Sequence, residues 1–325
     1  MATSTPAIDP VAIDCEIYGS TTRAEALADW LELAAIAGRR VTSAQLAGMI
    51  FDNGWAHLAP TQYSKHGGPY TEPGDEDQLG MAAALTDAVR SVLTMRETVL
   101  GERWPFKLEP SWQVKLREGV DLYCPYTAML AITVAHAWGV ETGCRPELVL
   151  EDSARRALIS LGLGAVGFGT GSNAVGTFEE RVAEAADVIG LESDAGGVTR
   201  ARSARDEGAD TFAIILGLDT ARRAGQWVFV GQVTTAKSSE WKRKFAEPVM
   251  AHWKDRLLQP LTPQRFLVVP HHANSEQLYH LVNDDTGVVI DRIRLALALE
   301  DVSTEERQII DAVVEVGVED GRAAA

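Results

Sequence analysis

The chain has 325 residues, 46% hydrophobic and 23% charged, an ordinary globular balance with room for two domains. A net charge of −16 excludes a protein that coats nucleic acid by charge alone, but not a nuclease with its positive charge confined to one groove, nor a subunit that meets a basic partner. No apolar run reaches the ~18 residues that span a bilayer, and the three well-separated cysteines suit neither a disulfide framework nor a thiolate zinc site, so a reducing cytoplasm and no membrane are expected.

Residues 1–20 read as a loose tail or an edge strand, with no basic segment leading into an apolar run and so no expected secretion signal. Thr22 with Glu25 forms a capping-box pattern for a helix to about Ile36, whose apolar face is Leu27, Trp30, Leu31 and Ala34. A second short helix follows Thr42, with Gln45 at the capping-box position. Residues 60–77, rich in Gly, Pro, Tyr and acids, read as a long loop, and 79–100 as a helix. The alternating, aromatic stretch 104–116 predicts a strand or short hairpin. An apolar helix is expected over 121–138, and another over 146–161, opened by Pro146.

A Gly-rich connector then runs from Leu161 to Thr177. Gly162, Gly164 and Gly167 match GxGxxG, but that fingerprint needs a strand before it and a helix directly after, so no dinucleotide site is expected. Phe178, Val182, Ala185 and Ile189 recur with helical spacing. After the polar stretch 192–209 come strands at 211–218 and 227–235, one helix over 238–258, a third strand at 265–270, and helices near 288–300 and 304–316. There is no internal repeat. The pattern predicts an α/β (α+β) protein: a mainly helical domain over 1–145, then a mixed sheet flanked by helices over 146–325.

Antiparallel pairing of the strands at 211–218 and 227–235 brings Asp210, at the mouth of one, near Gln232, late in the other. A buried amide in an otherwise apolar strand must find a partner. Lys237 precedes a helix, where the helix dipole does not favour a cation. A carboxylate and an amide oxygen suit a hard cation such as Mg²⁺, and a lysine beside it suits phosphoryl chemistry. The plainer alternatives are a turn aspartate and an exposed lysine. Lys242, Arg243 and Lys244 form a basic run that reads either as a phosphate-binding groove or as a solvated helix face. Trp241, Phe245 and Trp253 are expected in the core, and His271 with His272 on a surface loop.

The order Asp210, strand, Gln232-Val233-Thr234-Thr235-Ala236-Lys237, helix, strand resembles the PD-(D/E)xK, restriction-endonuclease-like superfamily. It is most similar to the Mrr-like branch, where glutamine often replaces the second acid. The resemblance covers about residues 148–295. It implies a restriction-endonuclease-like fold and a Mg²⁺- or Mn²⁺-dependent DNA endonuclease in restriction or phage defence, with a possible homodimer. It also implies that Asp210, Gln232 and a helix acid hold the metal, and that Lys237 positions the attacking water. The helix acid is Glu151 or, on the following helix, Glu179 or Glu180. Thr177 and Glu180 already form a capping-box pattern, which favours Glu151. Thr234 stands where the family's lysine usually does, and Lys237 lies further along, so it reaches the site through a bulge or from the helix start. A rival reading is an inactive nuclease-fold subunit that binds other subunits of a defence complex. A helix-turn-helix regulator over 22–58 fits less well, because 43–51 carries no positive charge.

Overall fold

The computed structural model describes residues 23–53, 75–110, 112–168, 176–194, 208–215, 225–285 and 287–317. It is of mixed α/β class, and its contacts divide into two compact units. The first comprises Met1–Leu122, Lys237–Ser239 and Asp311–Ala325; the second Tyr123–Ala236 and Glu240–Ile310. None of the helices searched among the described residues is long and apolar enough to cross a membrane.

In the first unit, α1 (Arg23–Ile36), α2 (Ser43–Asp52) and α3 (Asp75–Leu100) precede a hairpin of β1 (Phe106–Leu108) and β2 (Val114–Leu116). The expected box at Thr42 is present: Gln45 N donates to Thr42 Oγ1, and Thr42 N to Gln45 Oε1. Thr22 of the other predicted box, and residues 60–74 of the predicted loop, lie outside the described residues. A charged network crosses this unit's interior. The fully buried Arg96 guanidinium lies 2.8 Å from Asp29 and 2.9 Å from Glu32, and Trp104 Nε1 donates to Glu32. Each acid offsets the desolvation of the arginine only because the geometry is close.

The second unit opens with α4 (Pro125–Trp138) and α5 (Pro146–Ser160), each with proline in its first turn. α4 thus falls ahead of the boundary expected at 145. Next come β3 (Leu163–Gly167), α6 (Phe178–Val188), β4 (Thr211–Ile215) and β5 (Val228–Val233). Then follow α7 (Ser238–Ala246), α8 (Met250–Arg256), β6 (Gln264–Val268), α9 (Ser275–Asp285), β7 (Gly287–Ile290), α10 (Arg292–Ala298) and α11 (Thr304–Val316), of which the first two residues of α7 and Asp311–Val316 of α11 belong to the first unit. The sheet order is β3-β4-β5-β6-β7, antiparallel from β3 to β5 and parallel from β5 to β7. Gln232 therefore exits β5 at the same sheet end where β4 begins, and where β6 and β7 finish.

Among the described residues, two apolar clusters pack the unit. Phe212, Ile214, Val228 and Val230 meet Val182, Ala185 and Ile189 of the α6 segment and Trp253 of α8. Here Trp253 packs against Phe168, Phe178 and Phe212, with ring centroids 4.8–6.1 Å apart. The second cluster joins Trp241 and Phe245 to Leu267, Val269 and Val289. The core places expected for Trp241, Phe245 and Trp253 are the observed ones.

Several expectations are corrected. The Gly-rich connector contains β3, paired from Leu163↔Ile215 to Gly167↔Thr211, so Gly164 and Gly167 of the GxGxxG match lie in a strand, with Gly162 in the turn before it. The single helix over 238–258 is two, interrupted at 247–249, because Pro248 lacks an N–H and restricts its predecessor. The helix expected from 288 starts only at Arg292, after β7 pairs with β6. α9 had no counterpart in the expected elements.

Candidate active site

Asp210 lies beside Gln232, as expected, and bonds the residue on either side of it; four hydrogen bonds form a clasp at this sheet end. Phe168 N donates to Asp210 O at 2.7 Å, and Asp210 N to Gly231 O at 2.8 Å. Val233 N donates to Asp210 Oδ2 at 2.9 Å, and Gln232 Nε2 to Gly208 O at 2.7 Å. Gly231 is also the register partner of Thr211, so two residues of one strand oppose one of the next, as in a β-bulge. Asp210 thus straddles Gln232, bonding the residue on each side of it. The buried amide has its partner, and donation from Nε2 leaves Oε1 as its acceptor end.

Two glycines make the clasp possible. Gly208 has φ +76°, and a Cβ there would stand 2.7 Å from the Glu247 backbone carbon. Gly231 lies under the Phe266 ring, where a Cβ would meet ring carbons at 2.3 Å.

The other expected residues are placed as follows. Glu151 is half-buried on α5. Glu180 Oε2 accepts from Thr177 N at 2.7 Å, and Glu180 N donates to Thr177 Oγ1, so Glu180 serves its own helix. Thr177→Ala should cost about 1 kcal/mol of stability and leave any DNA cleavage rate unchanged, which chemical denaturation beside a cleavage assay would check. Glu179 shares that first turn. Between Gln232 and Lys237 there is no bulge: β5 ends at Val233, and Lys237 immediately precedes α7. Of the basic run, Arg243 pairs with Glu240 and Glu247, and Lys244 lies 3.3 Å from Glu247. These local pairs offset charge that a phosphate groove would use. Lys242 is exposed.

His271 and His272 are not on the surface; each is only 4% exposed. Thr235 O can only accept, so His271 donates from Nε2, at 3.1 Å, and its ring packs 5.6 Å from that of Trp241. Sequence reasoning also missed Asp291 and Arg292, directly after β7. Asp291 caps α10 by accepting from Arg294 N, and its other oxygen accepts from Ala273 N. Fully buried Arg292 donates from Nε to Pro270 O at 2.9 Å and from Nη2 to Thr133 Oγ1 at 3.1 Å. An aspartate just before RIRLALA is a readable N-cap signal.

Burial pushes the Asp291 carboxyl above the ordinary aspartate value, outweighing the hydrogen bonds from Arg294 and Ala273 and the charges of Arg294 and Arg292, all of which lower it. A native pKa above the unfolded one means that the proton favours the fold. This contribution is full below the unfolded value and is lost as pH rises through the native one. Measured against Asp291→Asn by urea denaturation, the wild type should lose relative stability from about pH 4 upward. A pH-independent difference would show that desolvation is not the controlling influence.

Thr235 Oγ1 and Glu147 Oε1 both approach Nδ1 of His136, at 3.1 and 3.2 Å. A nucleophile relay needs its two contacts on opposite ring nitrogens, so this trio is not a hydrolytic triad. No family model matches the chain, and no curated protein or solved structure is significantly similar to it.

Proposed function

We propose that this chain is a metal-dependent endonuclease that hydrolyses DNA phosphodiester bonds, with its site at the Asp210–Gln232 clasp. The observation that carries the reading is the clasp itself: a carboxylate at a strand start, bonded around a buried glutamine on the next strand. The connectivity α5-β3-β4-β5-α7-β6 supports it, allowing for the α6 insertion. It has the acid-bearing helix, the aspartate at a strand start and the glutamine on the following strand that the PD-(D/E)xK resemblance implies.

The donor set is oxygen only, one carboxylate and one amide, which fits Mg²⁺, an ion bound through few protein ligands that keeps several waters. In this reading Asp210 and the Gln232 Oε1 hold the cation, with Glu151 as the helix acid. When bound, Mg²⁺ supplies Lewis acidity at the scissile phosphate. Lys237 orients the water and stabilises charge on the phosphate. DNA is the substrate, restriction or phage defence the setting, and a homodimer the expected assembly.

The test is nicking and linearisation of supercoiled plasmid, with linear DNA alongside, in Mg²⁺ or Mn²⁺ and in excess chelator. Cutting that needs the metal and is lost in Lys237→Ala is expected. Absence of cutting by folded wild type under all these conditions would overturn the catalytic reading.

A second reading is an inactive nuclease-fold subunit that binds partner proteins. It is favoured by the local pairing of Arg243 and Lys244 with glutamates, and by the net charge of −16. It predicts that no divalent cation binds.

A further inference from the structure

The stretch between Gln232 and Lys237 is fastened at every residue. Thr234 N donates to Val268 O at 2.9 Å, and Ala236 N to Thr234 Oγ1 at 3.1 Å. Thr235 O accepts from His271 Nε2, and Thr235 Oγ1 lies 3.1 Å from His136 Nδ1. Ala236 O accepts from Trp241 Nε1 at 2.8 Å. The strand ends at Val233 and Thr234 N still bonds β6 at Val268 O, so the sheet ladder fixes the path only as far as Thr234. Beyond it, three side chains from outside the stretch, His271, His136 and Trp241, hold Thr235 and Ala236. His271 and Trp241 are both buried and both bond backbone carbonyls, and His271 is the one that meets the middle of the stretch, at Thr235.

We propose that His271 is a positioning residue: its Nε2–H holds the Thr234–Ala236 arch, and so sets the backbone from which Lys237 departs. This rests on the nuclease reading for its catalytic consequence. It also accounts for the lysine spacing, because a lysine displaced along the chain is useful only if the intervening residues follow one fixed path. A loose arch would make Lys237 a mobile surface lysine, and small misplacements of a reacting group cost about a hundredfold in rate. The bond asks for one particular tautomer, Nε2–H, which a histidine that merely fills space has no need to keep.

The test compares wild type with His271→Ala and His271→Gln, in the full chain. Glutamine can present its Nε2–H near the imidazole Nε2 position, whereas alanine presents no donor. Nitrogen chemical shifts should show His271 protonated at Nε2. Amide exchange at 234–238 should rise about tenfold in His271→Ala, the size of one lost hydrogen bond, and return toward wild type in His271→Gln. Exchange across the β4–β5 ladder should stay unchanged, which separates a loosened arch from general unfolding. In the plasmid assay kcat should fall by about ten- to a hundredfold in His271→Ala with KM unchanged, and recover in His271→Gln.

Protonation at Nδ1 alone, or equal exchange in all three proteins, would overturn the clamp. Equal cutting by all three would overturn the positioning role while leaving the nuclease reading intact. A wild type that does not cut would overturn the nuclease reading and with it the effect on rate, while the exchange comparison still decides the clamp.

Discussion

Asp210→Asn is expected to leave the protein folded and to lower metal-dependent DNA cleavage at least about a hundredfold, the upper end of what is lost when even an outer-shell partner of a metal is removed. The substitution is selective because Asp210 does two jobs. Its structural job is to accept from Val233 N, and the oxygen of an asparagine amide can still do this. Its backbone bonds to Gly231 and Phe168 are untouched. What asparagine lacks is the negative charge that draws a divalent cation. An unchanged unfolding midpoint with lost cutting would separate the two jobs. Asp210→Ala should lose both, being less stable as well as inactive. Retained cutting in folded Asp210→Asn would remove Asp210 from the site.

Gly231→Ala is expected to destabilise the second unit by about 3 kcal/mol, the upper part of the usual cost of overpacking. The added methyl would lie 2.3–2.4 Å from three carbons of the Phe266 ring, where real Cβ contacts essentially never fall below 3.0 Å. Phe266 is Gly231's register partner across β5 and β6 and is itself 2% exposed, so the ring has little space to move into. Gly231 O also accepts from Asp210 N, so a shift in this backbone reaches the clasp. Phe266→Leu in the same chain should recover part of the loss, and the double-mutant cycle should show coupling between the two positions. A Gly231→Ala protein as stable as wild type in urea would contradict the close approach.

Where local chemistry alone decides a feature, the sequence was legible. Thr42 with Gln45 and Thr177 with Glu180 read correctly as capping boxes, because all their bonds fall within four residues. The nearness of Asp210 to Gln232 followed from antiparallel pairing of two apolar runs, and the clasp bears it out. Trp241, Phe245 and Trp253 were legible as core from their size and spacing.

Where a partner far along the chain decides, the sequence was silent. β3 is glycine-rich and only half-buried, and it is a strand because β4 offers its backbone a ladder. β7 is likewise a strand because β6 pairs with it; the apolar run it shares with α10 suits either state. The histidines at 271 and 272 do lie in a loop, but they looked exposed, since the groups that meet His271, Thr235 O and the Trp241 ring, lie some 30 residues earlier. Likewise the bulge at Asp210 depends on Gly231 and could not be read from Asp210's own neighbours.

The most direct test of the central claim is calorimetric titration of the full chain with Mg²⁺ and with Mn²⁺, wild type beside Asp210→Asn. Stoichiometric binding by the wild type that disappears in the folded Asp210→Asn protein is the predicted result. No binding by folded wild type, or equal binding by both, would contradict a cation site at the Asp210–Gln232 clasp; the first of these results would favour the partner-binding subunit.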